Sequence, residues 1–331
     1  MNRLRLSLAC WDYDRTRALA DGQVRPEGID LIYLPTPPEE TFFRMLRYQD
    51  FDVCEMSLSA TIMSKAHGQS PFVAIPVFPS RAFRHSAIFI RTDAGIREPK
   101  DLIGRRVGVP DYQMSAGVWA RGILQHEYGV APESIRWVMG GLEQPGRGNM
   151  VRVELPSHVT IERLQPGQTL NGLMEAGQID ALISPAMPAA FRRGAPWVAR
   201  LFPNYREVEE DYFRRTGIFP IMHTVVVKED LYQQHPWVAQ SLVKAFEEAK
   251  RLCYDHYLYE SNAHLTTLAW VLDEVERERA LMGEDFWPYG LEANRETVET
   301  LGRYLHEQGL APRVPTPEEL FAPNTVASYK R

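Results

Sequence analysis

The sequence predicts an α/β protein with two lobes, each a mostly parallel sheet flanked by helices. Segments with strand and helix patterns alternate from the N-terminus, which is typical of parallel sheets covered by helices. A second series of the same kind begins near residue 92, and from residue 236 onward the chain is mainly helical. We therefore expect lobe 2 (92–223) to be inserted into lobe 1 (1–91 plus 224–331), with a ligand cleft between the lobes.

The pattern of lobe 1 alternates between strands and helices along the chain. Alternating or continuous apolar residues predict strands over 3–10, 28–35, 51–57, 71–78 and 86–91, and helical spacing predicts helices over 38–49 and 58–68. Acidic residues occupy the first turn of the helix over 38–49, where the helix dipole favours them. Gly68 ends the second helix in the manner of a C-terminal cap.

Lobe 2 repeats this alternation with longer loops. It contains a strand in RRVGV, a helix that ends at Gly129, a strand over 135–141 and a helix–turn–strand unit over 170–188, and a strand over 223–231 follows at the return to lobe 1. Beyond it, PWVAQSLVKAFEEAKRL is an amphipathic helix with Pro236 near its first turn.

Composition excludes several classes of protein. The 331 residues are 44% hydrophobic and 24% charged, which is ordinary for a globular protein. A net charge of −6 argues against nucleic acid as a partner. The chain has no run near the ~20 apolar residues of a membrane span, so we expect no membrane partner. The composition is compatible with a homo-oligomer.

The N-terminus predicts a strand and not an export signal. Its apolar residues alternate with polar ones and meet Asp12 and Asp14 at once. The three cysteines (Cys10, Cys54 and Cys253) lack metal or disulfide spacing. We therefore expect a cytoplasmic protein.

The segment FPSRAFRHS (78–86) places two arginines and a histidine among aromatic residues, just before an apolar strand. Charged residues are rarely buried unless they are paired. Arg81, Arg84 and His85 could face solvent or form ion pairs between the lobes. The alternative that we favour is an anionic ligand in the cleft, since the arginine fork suits a carboxylate.

Several segments together carry a resemblance to a known family. They are EGIDL, FDVCEMSLSA, IPVFPSRAFRHS, DLIGRRVGVPDYQMSAGVWARGIL, GQIDALISPAMP and TGIFPIMHTVVV. In this order they resemble 4,5-dihydroxyphthalate decarboxylases, over roughly residues 3–255. The resemblance implies the type II periplasmic-binding-protein-like fold, and the conversion of 4,5-dihydroxyphthalate to protocatechuate and CO2 in phthalate catabolism.

Such a reaction needs an acid, a base and an electron sink. A hydroxyl para to the leaving carboxylate serves as the sink while an acid protonates the ring carbon, so no organic cofactor is required. His85 and His223 are the first candidates, because histidine titrates near neutral pH. Each could instead be a hinge residue bonded to backbone. His158 is a third candidate, in a segment that also fits an edge strand.

Further candidates follow predicted strands directly. After the first strand, Asp12 could accept a hydrogen bond from a substrate hydroxyl, and Trp11 and Tyr13 could stack on the ring. Glu55, an acid or base candidate, could equally pair with an arginine. Two serines in the same stretch are candidate ligand contacts, Ser57 and Ser59.

Lobe 2 supplies the opposite wall. The stretch from Tyr112 to Ser115 leads into a helix whose free amides could bind an anion, although Ser115 could also be an ordinary cap. Met187, in the loop SPAMP, could provide an apolar contact.

Other functions are disfavoured by missing signals. The nine histidines show no metal-ligand spacing, so no metal is expected, although a catechol could chelate one. A solute-binding protein of a transporter is the main alternative, and it would bind an anion without chemistry. A biosynthetic enzyme of the same fold would need a cofactor lysine, for which only Lys65 comes into question.

Overall fold

The fold is that of a computed structural model, which describes residues 3–68, 70–144, 155, 157, 159–258 and 266–326. Its strands are β1 (Leu4–Ala9), β2 (Ile29–Leu34), β3 (Val53–Ser57), β4 (Phe72–Arg81), β5 (Ile88–Arg91), β6 (Arg106–Val109), β7 (Arg136–Met139), β8 (Ile161–Arg163), β9 (Ala181–Ile183), β10 (Val198–Arg200) and β11 (Ile221–Lys228).

The helices alternate with these strands and dominate the C-terminal part. They are α1 (Arg17–Ala20), α2 (Pro38–Tyr48), α3 (Leu58–Ala66), α4 (Ser115–Tyr128), α5 (Leu170–Glu175), α6 (Ala189–Arg192), α7 (Tyr205–Thr216), α8 (Glu229–Gln234), α9 (Trp237–Tyr257), α10 (Val271–Met282), α11 (Arg295–Glu307), α12 (Pro317–Leu320) and α13 (Pro323–Val326). Short 3-10 turns cover Asp14–Thr16, His85–Ala87, Pro99–Leu102, Pro132–Ser134 and Glu292–Asn294.

The strands form two sheets, as expected for two lobes. The first has the order β2-β1-β3-β11-β4 and the second β10-β5-β9-β6-β7-β8. Strand β11 is antiparallel to both of its neighbours, and β5 is antiparallel to both of its own. Each sheet therefore has one reversed strand, and the remaining strands share one direction. The predicted mostly parallel α/β architecture is confirmed.

The strand pairing moves both predicted lobe boundaries by a few residues. Strand β5, which the sequence placed in lobe 1, pairs with β9 and β10 in the second sheet. Strand β11 starts at Ile221 and pairs along its whole length with the first sheet. The boundaries predicted at 91/92 and 223/224 therefore each cut off part of the neighbouring sheet, because apolar strand patterns do not reveal which sheet a strand joins.

Helix α4 joins the two sheets. It follows β6 of the second sheet, yet Trp119 is fully buried and donates its indole N–H to the carbonyl of Ile221 at the start of β11 (2.9 Å). The α4 residue Arg121 donates to Gln308, beyond α11, at 2.8 Å. Among the described residues, no helix has both the length and the apolar character needed to cross a membrane.

The contact between α4 and α11 depends on a glycine. A Cβ atom at Gly122 would overlap the ring of Tyr304, and the ring cannot move freely because it also packs edge-on against Trp119. We expect Gly122→Ala to lower the free energy of unfolding by about 2 kcal/mol, since overpacking a filled core is costly. Urea denaturation measures this change.

A matched control is Gly172→Ala in α5. There the added Cβ would meet only the side-chain oxygen of Thr169, at 3.1 Å. The helical preference of alanine should then leave stability equal or slightly higher. Equal stability of both variants would contradict the tight α4–α11 contact.

Candidate functional site

The site centres on a buried carboxylate at the carboxyl ends of β1 and β3. Glu55, on β3, is 0% exposed. Its carboxylate accepts the backbone N–H of Trp11 (3.0 Å), the hydroxyl of Tyr13 (2.6 Å) and Nδ1 of His223 (2.5 Å). The reversed direction of β11 brings its N-terminal residues, including His223, to the same edge of the sheet. The structure thus unites four residues that the sequence predicted separately.

The surroundings of Glu55 keep it ionised. Burial by itself would raise its pKa, but the positive charge and hydrogen bond of His223 and the donors of Tyr13 and Trp11 outweigh burial, so the pKa lies below its usual value. Burial and the charge of Glu55 raise the pKa of Tyr13. The phenol therefore stays protonated and donates to the carboxylate. No arginine of the described residues pairs with Glu55, in contrast to the alternative considered from the sequence.

His223 keeps one ring nitrogen available for chemistry. Its Nδ1 is held by Glu55, and Phe42 packs edge-on against the ring with centroids 4.9 Å apart. Its Nε2 makes no hydrogen bond within the described part of the chain, and 18% of the side chain is exposed. A histidine oriented in this way by a carboxylate can transfer a proton at Nε2.

Three predicted contact residues form a buried bridge between the lobes. The hydroxyl of Ser57 lies 3.0 Å from those of Ser59 and Ser115. Ser59 also donates to the carbonyl of Gln113 (2.6 Å), and Ser115 to the carbonyl of Met222 (2.9 Å). Ser57 caps α3, because its side chain accepts the amide of Ala60. Ser115 is the first residue of α4, and that helix has no side-chain cap. The three hydroxyls thus hold α3, α4 and β11 together beside His223.

The Arg81 side chain makes its hydrogen bonds within the protein, mainly to backbone carbonyls. Its guanidinium donates to the carbonyls of Phe219 (3.1 Å) and Pro288 (2.6 Å) and to the side chain of Asn294. The residue is 7% exposed, and burial lowers its pKa to about 9. This arrangement fixes the C-terminal segment against the end of β4, and it departs from the predicted carboxylate clamp.

His85 and Arg84 lie in a separate buried region. The His85 ring packs among Tyr128, Phe202 and Tyr212, with centroids 5.2–6.0 Å away. It shares no hydrogen bond with the Glu55 network within the described residues. Arg84 is 5% exposed, and burial lowers its pKa to about 10. Both residues follow β4 where the chain passes between the sheets. The hinge alternative for His85 included a bond to backbone, but among the described residues its buried Nδ1 has no hydrogen-bond partner.

The burial of His85 predicts an acid-sensitive fold. Burial, with a smaller contribution from Arg215, lowers its pKa from 6.5 to about 4. Since the unfolded chain binds this proton more readily, the free energy of unfolding should fall as the pH drops from about 6.5 to about 4, by about 2 kcal/mol. His85→Phe, which suits the aromatic surroundings, should flatten this dependence in urea titrations at several pH values. An unchanged slope in the variant would contradict this role.

The remaining predicted residues have diverse positions. Trp11 (38% exposed) and Met187 (48% exposed) present apolar surface. Asp12 pairs with Arg17 at 2.8 Å, which gives the carboxylate a partner on the surface. Tyr112 is buried beneath the guanidinium of Arg121, 3.6 Å from its ring. His158 lies outside the described residues.

Arg15 is a residue that the sequence did not indicate beyond the start of a helix. Its guanidinium lies over the rings of Tyr13 and Trp287, at 4.3 and 4.1 Å, and its Nε donates to the carbonyl of Pro79 (2.7 Å). It therefore fixes Tyr13, which in turn fixes Glu55. A cavity of about 480 Å³ between α9 and α10 shares Arg15 and Trp287, but neither Glu55 nor His223 lines it. No cluster with metal-ligand character occurs among the described residues.

Two curated proteins are similar to this chain over most of its length. A 4,5-dihydroxyphthalate decarboxylase from Comamonas testosteroni is 43% identical over 330 residues, which covers 100% of both chains. A second one, from Pseudomonas putida, is 44% identical over 214 residues, 65% of this chain and 83% of the other. No family model matches the chain.

Solved structures show the same fold at low identity. The periplasmic aliphatic sulphonate binding protein SsuA from Escherichia coli has a TM-score of 0.54 at 13% identity and covers 98% of this chain and 99% of its own. The desulfurization enzyme DSZB has a TM-score of 0.54 at 17% identity and covers 98% of both chains. These likenesses confirm the predicted periplasmic-binding-protein-like fold, in which both binding proteins and enzymes occur.

Proposed function

Because this chain belongs to the 4,5-dihydroxyphthalate decarboxylase family, we propose that it converts 4,5-dihydroxyphthalate to protocatechuate and CO2. The observation that carries the proposal is the Glu55–His223 pair, in which a buried carboxylate 2.5 Å from Nδ1 orients a histidine whose Nε2 is available. This is the arrangement that proton transfer to an aromatic ring requires.

The reaction proceeds by replacing a carboxylate with a proton. The ring carbon that bears the leaving carboxylate takes up a proton, while the para hydroxyl donates electron density to the ring, gives its own proton to a base and becomes a carbonyl. The bond to the carboxylate then breaks and CO2 departs, while the electron pair of that bond restores the aromatic ring and the para oxygen takes back its proton. One proton is consumed for each carboxylate lost, so the protein must deliver a proton at a fixed position.

We assign the delivery of this proton to His223. With Nδ1–H donated to Glu55, the second proton of the imidazolium sits on Nε2, and Glu55 balances the positive charge. Tyr13 and the Trp11 amide complete the hydrogen bonds of the carboxylate, so it cannot turn away. Glu55 is thus a positioning residue, and His223 is the catalytic acid.

The proposal includes a reaction without metal or organic cofactor, in the cytoplasm. The cofactor-free reaction is supported by the chemistry, because the hydroxyl of the substrate itself serves as the electron sink. Turnover by protein that has been stripped of metal with a chelator tests the first part, and cell fractionation tests the second.

A turnover assay on purified, metal-stripped protein tests the function. We expect CO2 and protocatechuate in equal amounts from 4,5-dihydroxyphthalate, and no CO2 from phthalate, which lacks the para hydroxyl. Absence of turnover with 4,5-dihydroxyphthalate would overturn the proposal. Tight binding of that compound without turnover would instead favour a solute-binding protein.

A further inference from the structure

The side-chain amide of Gln113 is buried and has no hydrogen-bond partner in the part of the chain that the structure describes. The residue is 2% exposed, and within the described residues neither Nε2 nor Oε1 has a hydrogen-bond partner. Burying an unpaired amide costs free energy, so nearly all buried polar groups are hydrogen-bonded to protein, water or ligand. This amide therefore has capacity for two donated and two accepted hydrogen bonds.

The backbone ties Gln113 to the serine cluster that adjoins the proposed acid. Its N–H donates to the carboxylate of Asp111 (2.9 Å), and its carbonyl accepts the hydroxyl of Ser59 (2.6 Å). Two residues further on, Ser115 donates to the carbonyl of Met222, the residue before His223. Ser57, which bonds Ser115, is also the cross-strand partner of His223. Gln113 is therefore fixed on the lobe-2 side of the cluster that adjoins His223.

We propose that Gln113 is the specificity-determining residue that recognises the two adjacent hydroxyls of the substrate. Oε1 accepts one hydroxyl, and Nε2 donates to the oxygen of the other, so that a side-chain amide matches a vicinal diol with both of its polar atoms. A carboxylate of the substrate has only acceptor atoms, so in the place of the two hydroxyls it would leave Oε1 of Gln113 unpaired. Holding the hydroxyls also orients the ring, so that the opposite carbon is presented for protonation.

This inference rests on the proposed function, and its test separates the two. Gln113→Met keeps the length of the side chain but removes both hydrogen-bonding atoms. The substrates are 4,5-dihydroxyphthalate and 4-hydroxyphthalate, which retains a para hydroxyl but lacks the second one. Gln125→Met, on helix α4, which begins two residues after Gln113, is the matched control. Thermal unfolding of each variant checks the fold.

The expected result is a loss of discrimination. Gln113→Met should lower kcat/KM for the dihydroxy substrate about 100-fold and for the monohydroxy substrate less than about 5-fold, since sites that hydrogen-bond a hydroxyl strongly reject analogues without it. Gln125→Met should retain wild-type discrimination. Equal losses on both substrates would overturn the inference, because they would indicate an amide that is bonded to internal water and serves only the fold.

A binding measurement does not depend on turnover. Calorimetry compares protocatechuate with 4-hydroxybenzoate, which lacks one hydroxyl. We expect the wild type to prefer protocatechuate and Gln113→Met to bind both alike. If wild-type turnover fails but this preference and its loss are seen, the inference stands and the proposed function falls. An unchanged preference in Gln113→Met overturns the inference.

Discussion

Replacing His223 with glutamine lowers kcat for CO2 release from 4,5-dihydroxyphthalate by about 1000-fold, within the range that general acid catalysis contributes. Glutamine is of similar size and can still bond Glu55, but it cannot deliver a proton. KM should change much less than kcat, because the loss concerns proton transfer and not binding. Steady-state kinetics with a CO2 readout measure both parameters.

A second histidine–glutamate pair provides the control. His126 and Glu307 lie 2.6 Å apart, but both are about one-third exposed, and they join α4 to α11 away from the Glu55 network. His126→Gln should therefore leave kcat within about twofold of the wild type, since surface pairs contribute little. Turnover by His223→Gln at a wild-type rate would exclude His223 as the acid.

Replacing Arg81 with methionine destabilises the protein by about 3 kcal/mol and leaves KM nearly unchanged. The change deprives the carbonyls of Phe219 and Pro288 and the side chain of Asn294 of their donor, and each unpaired buried acceptor costs about 1–3 kcal/mol. Removal of a buried charge recovers part of this loss, because burial already lowers the pKa of Arg81 to about 9. Urea denaturation and steady-state kinetics give the two values.

The comparison variant is Arg251→Met, which removes an exposed arginine that pairs with Glu248 and Asp255. Its stability should equal that of the wild type, because exposed ion pairs contribute little. The opposite outcome for Arg81→Met, a stable protein with a greatly raised KM, would restore Arg81 as the carboxylate clamp that the sequence suggested.

The sequence indicated much of the central site, but only as separate residues. Trp11 and Tyr13 follow the first strand, and Glu55 lies in the third, so a shared sheet edge was foreseeable from the parallel pattern. The pairing of Glu55 with His223 was not foreseeable. The two are 168 residues apart, and they meet because β11 runs antiparallel between β3 and β4.

The arginine segment shows the limit of local patterns. Arg81, Arg84 and His85 looked like one ligand-binding group, because three polar side chains lie within five residues before a strand. In the structure, Arg81 bonds to residues near 219, 288 and 294, whereas His85 packs against aromatic rings of lobe 2. The segment passes from one sheet to the other, so neighbours in sequence face different surroundings.

The sequence by itself determined the α/β class, the order of strands and helices, the two-lobed organisation and the family. Those properties depend on periodicity and turn residues within windows of about ten residues, and on motifs that are continuous in the chain. The tertiary structure alone decided which sheet takes β5 and β11, which carboxylate orients His223, and which buried groups lack partners. These outcomes depend on strand order and on the packing of α4 between the sheets, where contacts join residues more than a hundred positions apart.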